Sequence, residues 1–455
     1  MSKAILTVDL GYGDSGKGTV VDALCRKHAS SLVVRYNGGA QAAHNVVCDD
    51  GRHHSFHQYG SGTFAGCHTL LSKHMLVNPR KLLEEYKQLL PKVGSAHWPR
   101  LYIDEEALVT TPWHMALNRC RESVRTQRHG SCGMGIGETM AYSLKYPDAP
   151  RAKVLGMGYE DLADAMEPVR DRLKAEASEL LHMDSSEHCD VFRLREFDAL
   201  IDEMMWLKRY GVDIITHAQA TELIATSDTV FEGAQGILID ENHGFHPYTT
   251  WSDCTLKNAE ELAKEAGAEV IQRTGIIRTY MTRHGPGPMA GELFGDGVAM
   301  PFLGVADFTE QHNSHNPWQL DWRVGMPDFV AWRYALLCNF ASTGHSVDSL
   351  AITHADKLEG ANTWACITEG YEIEAQNAKP TLEAREEATK RMMGPMGNHP
   401  WPNYINQEKL VWRTPLPPTM GHGFVAEAVN QLGLPVVLTS HGPKTGDKEF
   451  RHEAL

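Results

Sequence analysis

Gly11-Tyr12-Gly13-Asp14-Ser15-Gly16-Lys17-Gly18-Thr19 follows an apolar run, Ala4 to Leu10, and leads into a helical pattern over Thr19–Ala29. The run reads as a buried strand, so the segment is strand, glycine-rich turn, helix. In that arrangement backbone N–H groups and the positive end of a helix dipole face an anion. Glycines let the backbone approach phosphate oxygens without a Cβ in the way, and Lys17 adds a point charge. The spacing fits the phosphate-loop pattern G-x4-G-K, but Gly18 stands where a Ser or Thr hydroxyl would hold Mg2+. Asp14 is therefore a candidate substitute ligand or a catalytic base. A plainer alternative is a turn stapling strand to helix with Lys17 in solvent; the strand and helix context favours phosphate.

The rest of the composition narrows the class. The 43 Lys and Arg against 58 Asp and Glu give a net charge of −15. A nucleic-acid surface needs a basic stripe, so no nucleic-acid partner is expected. No apolar run is long enough to span a bilayer, and Met1-Ser2-Lys3 lacks a signal-peptide layout. No membrane partner is expected, and the expected compartment is the cytoplasm. The nine cysteines are scattered without a C-x-x-C pair, which reads as reduced thiols. His53-His54-Ser55-Phe56-His57 invites a metal reading, but no partner sits at recognised ligand spacing.

Apolar runs predict strands at Leu32–Arg35, Leu101–Ile103, Val212–Ile215, Thr229–Phe231, Leu350–Thr353 and Pro435–Thr439. Helical patterns lie between them, at Lys81–Leu90, Tyr159–Leu181, Phe197–Tyr210 and Asn258–Ala266. This alternation predicts an α/β fold with one large, mostly parallel sheet flanked by helices. A single domain, 1–455, is expected, with a surface helical insertion at about 159–186 and a proline-rich loop at about 394–418. Chemistry then belongs in loops at the carboxyl ends of strands.

Further motifs fall in such loops. Arg35-Tyr36-Asn37-Gly38-Gly39-Ala40-Gln41-Ala42-Ala43-His44-Asn45 ends a strand in small residues, with His44 suited to proton or hydrogen-bond donation. His129 to Thr139 carries alternate glycines around Cys132. Phe231-Glu232-Gly233-Ala234-Gln235-Gly236 places an amide, Gln235, that can read a base edge. Thr353-His354-Ala355-Asp356 and Ser440-His441-Gly442-Pro443 each follow a strand, and the Asp356 carboxylate suits the two N–H donors of guanine.

The loop with its internal Asp, then Arg-Tyr-x-Gly-Gly-x4-His, Glu-Gly-Ala-Gln-Gly and Pro-Tyr-x-Thr, occur in this order. Together they resemble the adenylosuccinate synthetase family, from about Ala4 to Pro443. The resemblance implies a P-loop-type fold, a homodimer, and a GTP-dependent ligase joining IMP and L-aspartate with Mg2+. It implies Asp14 as proton acceptor and Mg2+ ligand, His44 as proton donor, and the Ala43 carbonyl as a second Mg2+ ligand. Lys17, with Gly13, Ser15, Gly16, Gly18 and Thr19, falls at the triphosphate. Gln41, Asn45, Cys132, Gln235 and Thr250 fall at the purine nucleoside monophosphate. His354, Asp356, Ser440 and Gly442 fall at the guanine.

The chain departs from the family pattern at several positions. Ser15 stands for a usual Glu, Cys132 for a usual Thr, and His354 for a usual Lys, which leaves ATP open as donor. Consecutive arginines that bind the amino acid are replaced by Glu310 to Arg323, where only Arg323 is a cation. Arg323, aided by neutral donors such as Asn313, is then the expected carboxylate ligand. A viral branch of the family uses dGMP to make a 2-amino-adenylosuccinate, usually with a small residue for the loop Asp; retention of Asp14 favours IMP. A ligase using another amine, a nucleotide-sensing protein on the same scaffold and a plain P-loop phosphotransferase, against which Gly18 and the other motifs weigh, are the remaining readings.

Overall fold

The computed structural model describes residues 1–94, 98–126, 129–181, 191–289, 292, 318–358, 366 and 423–451. Among them, ten strands share one sheet. In chain order they are β1 (Lys3–Asp9), β2 (Leu32–Arg35), β3 (His68–Leu71), β4 (Leu101–Asp104) and β5 (Val212–Ile215), then β6 (Thr229–Glu232), β7 (Glu269–Arg278), β8 (Ser349–Thr353), β9 (Val436–Ser440) and β10 (Lys448–Phe450). The spatial order is β10-β9-β8-β7-β1-β6-β2-β3-β4-β5. Neighbours run parallel except at the β9–β10 edge.

A parallel strand covered on both faces reads as a continuous run rather than an alternation. In β1, every residue from Ala4 to Asp9 is buried. Ala4, Leu6 and Val8 enter one core with Phe231, Ile277 and Leu350. Ile5 enters the opposite one with Val20, Val21 and Leu24 of α1 (Lys17–His28).

The six strands expected after the first are all present. β3 and β7 have no long apolar run to announce them: β3 is His-Thr-Leu-Leu, and in β7 the polar Gln272, Arg273 and Thr274 interrupt Val270-Ile271 and Ile276-Ile277. The expected helix at Tyr159–Leu181 forms, but not as a surface insertion. Leu162, Met166, Val169, Leu173 and Ala177 recur at helical spacing and are buried beside Leu117 and Cys120 of the helix Pro112–Val124. Frequent charges on its outer side hid that stripe. The remainder of that span, 182–186, and the proline-rich segment 394–418 lie outside the described residues. No described helix is long and apolar enough to cross a membrane.

Candidate active site

The loops after β1, β2, β6, β7, β8 and β9 all reach one cavity of about 1490 Å3. A site for one small molecule usually measures about 300–1,000 Å3, so this one has room for several ligands. Gly13, Asp14, Gly16, Lys17, Gly18 and Thr19 line it at the phosphate loop. Gln41, Ala43, His44, Asn45, Cys132, Gln235 and Thr250 line the next part, and His354, Asp356, Ser440 and Gly442 the far end.

The phosphate loop turns through left-handed backbone at Gly13, Asp14 and Gly16, with φ of 99°, 59° and 83°. Gly18 answers why no Ser or Thr stands there. A Cβ at that position would lie 2.8 Å from the His44 carbonyl carbon, so the loop packs directly on the backbone of the His44 segment. Gly236 is equally constrained, since its Cβ would lie 2.2 Å from the Gly11 oxygen. The Glu-Gly-Ala-Gln-Gly motif thereby braces the phosphate loop.

Lys17 is not in solvent. Its Nζ donates to Asp9 Oδ2 at 2.7 Å, and both side chains are buried. The same carboxylate accepts from Gly11 N–H at 2.8 Å, Ser15 N–H at 3.1 Å and Ser15 Oγ at 2.7 Å. Ser15, expected at the triphosphate, is therefore turned down onto Asp9 and is not on the cavity wall. The only sequence signal for Asp9 is a charge closing an otherwise apolar strand.

Asp14 stands on the wall with its side chain 36 % exposed, and its Oδ2 lies 3.2 Å from His284 Nε2. Burial alone would raise its pKa, but His284, Lys17 and Arg278 together hold it at about 2. Arg278 Nη1 also donates to the Asp14 carbonyl at 2.9 Å, which fixes the left-handed turn. Sequence reading missed His284 and Arg278, which come from the β7 end and the ribbon Met281–His284.

His44 sits deeper. Its Nδ1 lies 2.5 Å from Glu232 Oε1, at the end of β6. Burial presses the His44 pKa down to about 4, against the pull of Glu232. Burial presses Glu232 upward, but the Arg35 charge and the His44 and Ser61 hydrogen bonds override it and hold it at about 2. The resting pair is thus a carboxylate accepting from Nδ1–H of a neutral imidazole. Nε2 then carries a lone pair, and His44 donates from it only after taking up a proton.

Among the described residues, two amides nearby lack protein partners. Gln41 Nε2 and Oε1 and Gln235 Oε1 are buried with no hydrogen bond. Buried polar atoms are nearly always paired, so these atoms are where a polar ligand belongs. Gln235 is held there with a φ of 58°.

At the far end Thr353 Oγ1 donates to the Ser15 carbonyl at 2.8 Å and so accepts from His354 Nδ1–H at 2.9 Å. Burial first, then the charges of Arg278, Lys357 and Lys448, hold His354 well below the usual histidine range. A neutral ring with its proton on Nδ1 stands where the family usually carries a lysine ammonium.

A model of the adenylosuccinate synthetase family matches residues 6–448. The chain belongs to that family. Adenylosuccinate synthetase of Chlorobium limicola is 29% identical over 466 residues, covering 98% of this chain and 97% of that one. That of Chlorobium chlorochromatii is 32% identical over 78% and 77%. Among solved structures, fully ligated adenylosuccinate synthetase from Plasmodium falciparum superposes with a TM-score of 0.74 at 19% identity, covering 98% of this chain and 99% of that one. Cyanophage S-2L succinoaminodeoxyadenylate synthetase, described as bound to dGMP and dATP as an energy donor, superposes at 0.56 with 17% identity, over 99% and 95%. At these identities the two solved structures speak to the fold alone. As a family member the chain is a C–N bond-forming ligase of purine biosynthesis, and the family uses GTP and Mg2+.

The adenylosuccinate synthetase site tolerates Mg2+ chemically. Among the described residues no three His, Cys, Asp or Glu side chains form a metal cluster. Asp14 and exposed Ala43 lie on the same wall. Mg2+ takes one or two carboxylates plus phosphate oxygens and keeps waters, so this sparse oxygen set fits it. The amino-acid end differs from expectation. Arg323 does not face the cavity: Nε meets Glu292 Oε1 at 2.6 Å, Nη2 meets Glu292 Oε2, and Nη1 donates to the Gly285 and Gly287 carbonyls at 2.8 Å each. An arginine with its fork filled by a carboxylate has no pair of donors for another. Asn313 lies outside the described residues.

Proposed function

We propose that this chain condenses a 6-oxopurine nucleoside monophosphate, IMP in the first instance, with L-aspartate at the expense of GTP. The products are adenylosuccinate, GDP and phosphate. The observation that supports this reading above the others is the shared wall: Asp14 and the two unpaired amides of Gln41 and Gln235 line the cavity that the phosphate loop opens onto. A sensor has no use for a base at the loop, and a plain phosphotransferase has none for a second reading edge.

Asp14 takes the proton from N1 of the purine, and the electron pair moves to O6. O6 attacks the γ-phosphorus and the bond to the β-bridging oxygen breaks. Mg2+, when bound, neutralises charge on the transferring phosphates. Lys17 contributes the same kind of charge from the loop. His44, protonated at Nε2 from solvent, donates that N–H to O6 as negative charge gathers there, with Glu232 behind it to stabilise the imidazolium. The aspartate amine then adds at C6, loses a proton, and phosphate leaves. Gln41 and Gln235 hold the base edge, Asn45, Cys132 and Thr250 the nucleotide around it, and Asp356, Ser440 and Gly442 the guanine of GTP. A cytoplasmic homodimer completes the reading.

Mass analysis of products from Mg2+, GTP or ATP, IMP, GMP or dGMP, and aspartate tests it. Phosphate release must require both IMP and aspartate. Asp14→Asn is expected to fold and to lower turnover by about 10²–10⁴; near-parent turnover would remove Asp14 from the chemistry. His354, standing where the family usually carries a lysine, makes ATP the second donor to test, with dGMP as the second monophosphate in the same assay. A kcat/KM higher with ATP, surviving Asp356→Ala, would replace GTP.

A further inference from the structure

We propose that Asp9 is a positioning residue of the phosphate loop, holding it in its working shape before any phosphate arrives. Its side chain is 1 % exposed, yet it receives four donors: two loop N–H groups, the Ser15 hydroxyl and the Lys17 ammonium. Loop N–H groups and a lysine are the groups that bind phosphate. Here an internal carboxylate gathers part of that set from beneath the loop.

The consequences follow from charge and geometry. A loop that holds Asp14 in left-handed backbone and points several donors at one spot is costly to hold without an anion among those donors. Asp9 supplies that anion permanently, so the order does not have to come from the triphosphate. The Lys17 ammonium has three donors. One is spent on Asp9, which fixes the direction of the other two. The Asp9 charge also opposes the charge of a triphosphate, so it favours order at some expense of affinity. Its contribution therefore belongs in kcat rather than in triphosphate binding. Asp9 touches no reacting atom and acts through Lys17 and Ser15.

The proposal rests on reading the loop as the triphosphate site, and the test separates the two. Asp9→Asn keeps size and shape but removes the charge. Expected are a kcat at least about tenfold lower, a triphosphate KM unchanged or lower, and a melting temperature near the parent's. Ser15→Ala, which deletes one of the four contacts, should give a smaller loss of the same kind and serves if Asp9→Asn does not fold. Parent-like kcat in either folded variant overturns the proposal. So does a parallel loss of kcat, triphosphate affinity and melting temperature, which marks Asp9 as a strand-end packing residue. A parent protein that neither binds nor consumes triphosphate would instead overturn the reading of the loop itself.

Discussion

Oε1 of Glu232 lies 2.5 Å from Nδ1 of His44, and both side chains are buried beside the cavity. The carboxylate also accepts from the Ser61 backbone N–H at 2.9 Å and from its hydroxyl. It is thus pinned by two segments, and the imidazole is pinned through it. The arrangement fixes which nitrogen faces the ligand and stores a countercharge for the imidazolium.

Glu232→Gln should therefore keep the fold and lose turnover. A neutral amide can present its NH2 to Nδ1 and reverse the tautomer, and it no longer offsets a charged ring. We expect kcat to fall by about 10²–10⁴, with monophosphate KM changed little. Steady-state kinetics with IMP varied decides it; a rise in KM alone would make the pair a binding device.

Gln41→Leu should separate binding from stability. The amide is desolvated without a partner among the described residues, so its loss does not weaken the fold. A ligand that pairs with it loses about 1–3 kcal/mol, which is roughly 5- to 150-fold in affinity. Monophosphate titration and thermal melting of one sample give both numbers. A lower melting temperature with unchanged affinity would contradict the assignment.

Arg323→Leu should act on stability and not on the amino acid. It strands the Glu292 carboxylate and the carbonyls of Gly285 and Gly287. A fully buried pair broken on one side costs about 3–5 kcal/mol. This one is partly exposed, at 22 % and 14 %, so a loss on the order of 2 kcal/mol is expected. Denaturant unfolding measures it. A large rise in the aspartate KM with parent stability would restore Arg323 to the substrate.

His217 should make stability depend on pH. Its Nδ1 lies 2.7 Å from Asp104 at the end of β4, and its Nε2 3.2 Å from Glu265. Burial pulls its pKa down, but the two carboxylates more than offset this and the net shift is upward. The folded state therefore holds the proton more tightly than the unfolded chain. That stabilisation is complete below about pH 6.5, the unfolded value, and is lost as pH rises through the folded value. Unfolding free energy measured from pH 5.5 to 8.5 should fall in the parent and fall less in His217→Ala. Equal slopes would rule the pair out.

Local order in this protein is written in short segments. The apolar runs at β1, β2, β4, β6, β8 and β9 mark strands because both faces of an inner parallel strand are covered, and the run at β5 marks the half-buried edge strand. The glycine spacing from Gly11 to Gly18 marks the phosphate loop because only glycine permits those turns and contacts. The order of motifs marks the family, and with it the residues gathered at the cavity. Partnerships across the chain are a different matter. Asp9 with Lys17, His284 with Asp14, Glu232 with His44 and Arg323 with Glu292 join groups whose meeting depends on strand order and loop height. A side chain's type states what it can bind; only the tertiary structure decides whether that capacity is spent inside the protein, as for Arg323 and Ser15, or left for a ligand, as for Gln41 and Gln235.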